Sequence, residues 1–167
     1  MGLATPHDST PPGWGAFVAG VAGRLAGAMP GAGARVEGDR VVLDAIGASA
    51  RAWYRLDPVK TLPAVSLVTP DRYLSQSIEQ DLVHTGDALS ELLEEELVDL
   101  GFAEATGLSP SLPVEHFRDE AKLFTFRTIL PRETAVLDER TARACVLALR
   151  AYDATFRRLG DMEGGGE

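Results

Sequence analysis

Cys145 is the only cysteine in the sequence, which excludes an internal disulfide framework and a cysteine-based zinc site. Histidine is nearly as scarce. His7, His84 and His116 lie far apart, and none stands at metal-ligand spacing from another or from Cys145. Long apolar runs are also missing. The longest candidate, Trp14 to Met29, is interrupted by Arg24 and four glycines and falls short of the roughly 20 apolar residues a membrane helix needs. Met1 to Thr10 is polar and small, without the basic-then-apolar pattern of a secretory signal. These absences fit a reducing compartment, and a cytoplasmic protein away from the membrane is the expectation.

The most uneven absence is of positive charge. Between Tyr73 and Phe117 there are 10 acidic residues and no Lys or Arg, while the rest of the chain nearly balances within a net charge of −9. Such a block disfavours DNA, RNA and anionic lipid and suits a basic partner. Its densest part is Glu91, Glu94, Glu95, Glu96 and Asp99. As paired carboxylates for glycosidase or metal chemistry these would need a cleft and contrasting environments. Helical spacing instead places them on the outer face of a helix, and no calcium-loop pattern accompanies them. Glu91, Glu94, Glu95 and Asp99 are therefore candidate partner-binding residues.

Other catalytic signatures are missing. Gly31-Ala32-Gly33-Ala34 resembles the start of a phosphate loop but lacks the Lys-Ser/Thr and precedes a strand, so it reads as a turn. No G-x-S-x-G elbow occurs. Arg51, Trp53, Tyr54 and Arg55 form the one basic–aromatic cluster, but strand alternation sends its two aromatics to opposite faces. Direct nucleic-acid binding is not expected. Cys145 falls on an apolar helical stripe and reads as a core or interface residue. No catalytic residue, metal ligand or cofactor site is assigned.

The periodicities that are present predict an α+β protein, a mainly antiparallel sheet flanked by helices in the order helix, strands, helix, strands, helix. The first helix spans about 13–29, with Trp14, Phe17, Val18, Val21, Leu25 and Met29 on one stripe. Its glycines weaken it, so it depends on packing. Strand-like segments follow at 34–37 and 40–46, about a Gly38-Asp39 turn, then at 51–56 and 64–69, of which one could be a loop. A helix at 87–100 has Thr85-Gly86-Asp87 as its start and Gly101 as its stop, and 77–84 could add a further turn. Strands at 114–117 and 122–130 come next. The second is apolar on both faces and is the candidate central strand. The last helix, 138–159, carries the stripe Thr141, Cys145, Ala148, Leu149, Tyr152, Phe156 and Leu159 behind Asp138 as N-cap. Residues 1–12 read as a disordered leader, 13–160 as one domain and 161–167 as a flexible tail.

The run Lys122-Leu-Phe-Thr-Phe-Arg-Thr-Ile-Leu-Pro-Arg-Glu, followed after a short gap by a long amphipathic helix from Asp138, resembles the end of YbjN-like proteins. Those share the fold of type III secretion chaperones, with strands between a first, a middle and a last helix. By layout the resemblance spans about residues 13–160, and by sequence flavour about 122–159. It implies a small acidic protein, often a homodimer, that binds proteins and has no catalytic residues to transfer.

The expected function is thus a non-catalytic, chaperone-like or adaptor module that holds a protein client. The client would be basic or partly disordered, for example the basic tail of a nucleic-acid-handling protein. Val18, Val21, Leu25, Leu149 and Tyr152 are the candidate contacts of a homodimer. Two alternatives stand beside this reading. One is a small-ligand sensor with an enclosed cavity lined by Trp53, Phe124 and Phe126. The other is an enzyme built from dispersed polar residues such as His84, His116, Asp119 and Glu120.

Overall fold

The computed structural model describes residues 10–163. Helix α1 (Trp14–Ala28) leads into strands β1 (Arg35–Glu37), β2 (Arg40–Asp44), β3 (Trp53–Val59) and β4 (Leu62–Thr69). Helices α2 (Arg72–Thr85), α3 (Leu89–Asp99) and α4 (Phe102–Thr106) follow, then β5 (Glu115–Arg118), β6 (Phe124–Ile129), a 3₁₀ turn at Arg132–Ala135 and helix α5 (Glu139–Phe156). The six strands form one antiparallel sheet in the order β1-β2-β3-β4-β6-β5. The α+β class and the order of elements agree with the periodicities.

All four segments between α1 and α2 are strands; two-residue turns join β1 to β2 and β3 to β4, and a longer loop, 45–52, joins β2 to β3. Gly38, at φ 64°, supplies the left-handed residue that the first turn needs. The β3–β4 turn, by contrast, is made of Lys60 and Thr61, both at positive φ (51° and 74°). Neither residue type favours that region, so the seven cross-strand pairs of this ladder hold a turn that its own sequence does not prefer. The central strand is β4, not β6. β4 is buried from Pro63 through Thr69, with β3 and β6 on its two sides, whereas β6 lies one strand from the edge.

Register and burial divide the sheet into two faces. Leu43, Tyr54, Leu67 and Phe126 stand in one cross-strand row, and Val41, Leu56, Val65 and Thr128 in the next. Their apolar members belong to the main core, together with the buried stripes of α1 and α5. The Tyr152 and Thr128 hydroxyls join α5 to β6 at 2.7 Å, inside this core. The opposite face carries Arg40, Val42, Arg55, Asp57, Ser66 and Arg127. Its buried Val42, Ala64 and Val68 lie outside the main core. The apolar stems of Arg55 and Arg127 flank Ser66 there and shield it in place of a second helical layer.

α5 is formed as its stripe requires. Asp138 accepts from the Thr141 amide at 3.0 Å and caps the first turn. The helix ends at Phe156, and Leu159 packs from the turn beyond it. α1 lies over the β1–β2 side of the sheet, and its Trp14 indole donates to the Asp39 carbonyl at 2.6 Å. An Arg24–Glu139 ion pair links α1 to α5.

The glycines of α1 lie on its outer side. A Cβ built at Gly15, Gly20, Gly23 or Gly27 meets nothing within 4 Å. No helix of the described chain needs their smallness. Replacing Gly20 and Gly23 by alanine is therefore expected to stabilise the fold by about 1–2 kcal/mol in total, chiefly by narrowing the unfolded ensemble. A urea titration reads this as a higher midpoint at unchanged slope. A lower midpoint would mean that the glycine face is in use.

The described parts of the expected leader and tail are packed. Pro11 is buried, and its carbonyl accepts from the Trp14 amide, so the described part of the leader is packed. Asp161–Glu163 is no loose tail. Met162 is 2% exposed, and the Asp161 amide donates to Ser77 Oγ at 3.0 Å. The remainder of the expected leader, 1–9, and of the expected tail, 164–167, lies outside the described residues.

Candidate functional site

α2 begins on a capped turn, with Asp71 Oδ1 accepting from the Leu74 amide at 2.8 Å. It buries Leu74, Ser75 and Ile78. It is a full helix, not one extra turn at 77–84, and it ends at Gly86, whose φ of 78° closes the last turn. Gly86 therefore stops α2. The expected cap at Thr85-Gly86-Asp87 is replaced by Ala88, which starts α3 without a side-chain cap.

α3 turns Leu93 and Leu97 into the core, with Leu89, Leu92 and Leu100 packed beside them. Its register then fixes the outer face. Glu91, Glu94, Glu95 and Asp99 line one open depression of about 510 Å³, with Val98 among them. Val98 is 57% exposed. The fifth acid of the cluster, Glu96, points elsewhere and pairs with Arg158 at 3.2 Å. None of the other four makes an ion pair among the described residues. Sequence reasoning brought the four carboxylates together but missed Val98, because the apolar stripe of α3 is complete without it. Tyr73 (78% exposed) and Val83 (82%) lie on the outside of α2, most of which the sequence did not predict as helix. Half of the exposed large apolar side chains of the described chain thus fall within the stretch that lacks Lys and Arg.

The candidate dimer contacts are a correction. Val18, Val21, Leu25, Leu149 and Tyr152 are each at most 1% exposed. The α1 and α5 stripes pack on each other and on the sheet within one chain, so neither is free for a second copy. Cys145, on the same α5 stripe, is fully buried, and burial raises its thiol pKa far above the usual value.

The polar residues considered for catalysis are dispersed. His84 is exposed on α2, beside an open depression with Gln76, Glu79, Gln80 and Val83. His116 stacks on Phe126 with centroids 3.9 Å apart. Its Nε2 lies 3.3 Å from Ser75 Oγ, and its Nδ1 lies 3.8 Å from Glu79 Oε2. Burial lowers the pKa of this imidazole, and Glu79 opposes the shift. The Ser–His–Glu grouping was not visible in the sequence, where Ser75 and Glu79 are ordinary helix residues one turn apart. Ser75 is 1% exposed, so its hydroxyl is not open to an acyl substrate from the surface. Asp119 and Glu120 lie apart from both histidines, in an open depression with Arg40, Arg55 and Arg127.

Trp53, Phe124 and Phe126 do not share a cavity. Trp53 stands on the face away from the helices with Arg51 stacked on it at 4.9 Å, while Phe126 is buried in the core. Among the described residues, no three His, Cys, Asp or Glu side chains converge as a metal site, and no helix is long and apolar enough to cross a membrane. No protein-family model, curated protein or solved structure matches the chain.

Proposed function

We propose that this protein is a non-catalytic binding module that receives a basic, amphipathic or partly disordered segment of a client protein along the outer face of α3. The observation that carries the reading is the depression where four carboxylates without ion pairs surround the exposed Val98. Unpaired carboxylates steer a cationic segment at long range, and the apolar centre supplies contact area on arrival. The likeness of residues 122–159 to YbjN-like proteins supports the same class. Self-association as a homodimer belongs to this proposal, with its contact outside the five buried residues named above, and a cytoplasmic location goes with it.

The test uses the full chain and a fluorescently labelled amphipathic Lys-Leu peptide, read by anisotropy. Binding is expected to weaken roughly tenfold between low and physiological salt, as exposed charges are screened. Glu94→Lys with Asp99→Lys is expected to weaken it about as much again, and Val98→Ser is expected to weaken it at every salt concentration. Glu120→Lys with Glu133→Lys, two exposed acids outside α3, changes the net charge equally; it is the control and should bind as the wild type does. Equal losses from both charge changes would reduce the effect to net charge and overturn the site. Salt-insensitive binding would remove its electrostatic basis.

A further inference from the structure

A second cleft, of about 480 Å³, lies where the C-terminal ends of α1 and α3 meet the outer side of α5. Its apolar wall is Met29, Pro30, Ile46, Leu100 and Ala154. Ile46 is 59% exposed, an unusual state for a large aliphatic side chain lining a concave surface. The volume lies within the range of small-molecule sites.

The charges bordering the cleft are all matched but one. Asp153 pairs with Arg157 at 2.6 Å, and Asp44 pairs with Arg35 at 3.3 Å. Arg150 lines the same cleft, is half-buried, and has neither an ion pair nor a hydrogen bond among the described residues. The carbonyl ends of α1 and α3 offset part of its charge through their dipoles. They leave its planar set of N–H donors unused. A half-buried guanidinium without a partner, beside an open apolar wall, has one complementary ligand chemistry: an anionic head on a hydrocarbon body.

We propose that this cleft binds a small amphipathic carboxylate, with the carboxylate on Arg150 and the apolar body against Ile46, Leu100 and Ala154. The site is separate from the four carboxylates of α3 and requires no client. Anilinonaphthalene sulfonate is the fluorescent probe, itself an apolar body with an anionic group. The full chain is expected to bind it saturably, and octanoate is expected to displace it at least about tenfold more effectively than octanol, the value of one charge-assisted contact. Arg150→Gln should erase the difference between octanoate and octanol. Ala154→Trp should abolish displacement by both. Ile46 is exposed, so Ile46→Asp leaves the fold intact, and it should repel octanoate even if Arg150→Gln or Ala154→Trp fails to fold. Equal displacement by octanol and octanoate, unchanged octanoate affinity in Arg150→Gln or Ile46→Asp, or absence of saturable probe binding would each overturn the proposal.

Discussion

Leu149→Asp is expected to abolish the folded state at room temperature. Leu149 has no exposed surface and sits where the α5 stripe meets the core. Truncating such a leucine to alanine alone costs about 2–5 kcal/mol. Placing a carboxylate there adds its desolvation, with no basic partner within the apolar stripe. Together these meet or exceed the roughly 5–15 kcal/mol that holds an ordinary domain folded. The reading is loss of far-UV circular dichroism, accompanied by an expanded elution profile. Val18→Asp should behave in the same way, since Val18 is 1% exposed on α1. A folded variant with half the wild-type mass would instead place these residues at an interface between copies.

Gly160→Ala carries the second large effect, from a residue that looks incidental in the sequence. Gly160 has φ 54°, and a Cβ there would lie 2.4 Å from Ser77 Oγ and 2.7 Å from both Ile78 N and the Ser77 carbonyl carbon. The last two are backbone atoms of α2 and cannot turn aside. The clash falls on a well-anchored junction, where the Gly160 amide donates to Asp81 Oδ2 at 2.9 Å and the Ser49 amide donates to the Asp161 carbonyl at 2.9 Å. Overpacking plus a left-handed alanine is expected to cost about 3 kcal/mol, lowering the melting temperature by roughly 6–12 °C. Gly38→Ala is the matched comparison. It has a similar φ of 64° with nothing within 4 Å of the added Cβ, so it should lose only about 1 kcal/mol. Equal losses in the two variants would show that backbone conformation, not the contact with α2, sets the cost.

Where one period dominates, the fold was legible. The α5 stripe runs at helical spacing from Thr141 to Phe156, and every one of its residues is buried. The Gly38 turn has the residue type its geometry demands. Legibility failed where tertiary context overrode local signal. α2 carries Tyr73 and Val83 on its outside, which blurs the stripe made by Leu74 and Ile78, so most of the helix was missed. Lys60-Thr61 has no turn chemistry and is imposed by the ladder beside it. The Gly-rich end suggested fraying from Asp161, yet Met162 is a core residue and Asp161 is held by contacts distant in sequence. The same limit applied to sites. Spacing could gather four glutamates and aspartates on one helix face, but an apolar stripe looks the same whether it is covered by its own chain or by a second copy. The cleft at Arg150 draws on α1, α3, α5 and the segment after β2, and no local pattern joins these.

The strand order also sets how the chain can assemble itself. β1 to β4 form a meander whose neighbours in space are neighbours in sequence, so the pairing of these hairpins closes over short loops and does not wait for a later strand. β6 joins β4 only after everything from Pro70 to Leu123, including α2, α3 and α4, has been gathered out of the way. Until then β4 presents an open edge of Ala64, Val65, Leu67 and Val68, an apolar ladder with vacant hydrogen bonds. The interval before β6 docks is therefore when this chain is most exposed to pairing with another molecule, and on the ribosome it lasts until the segment beyond Leu123 has been made.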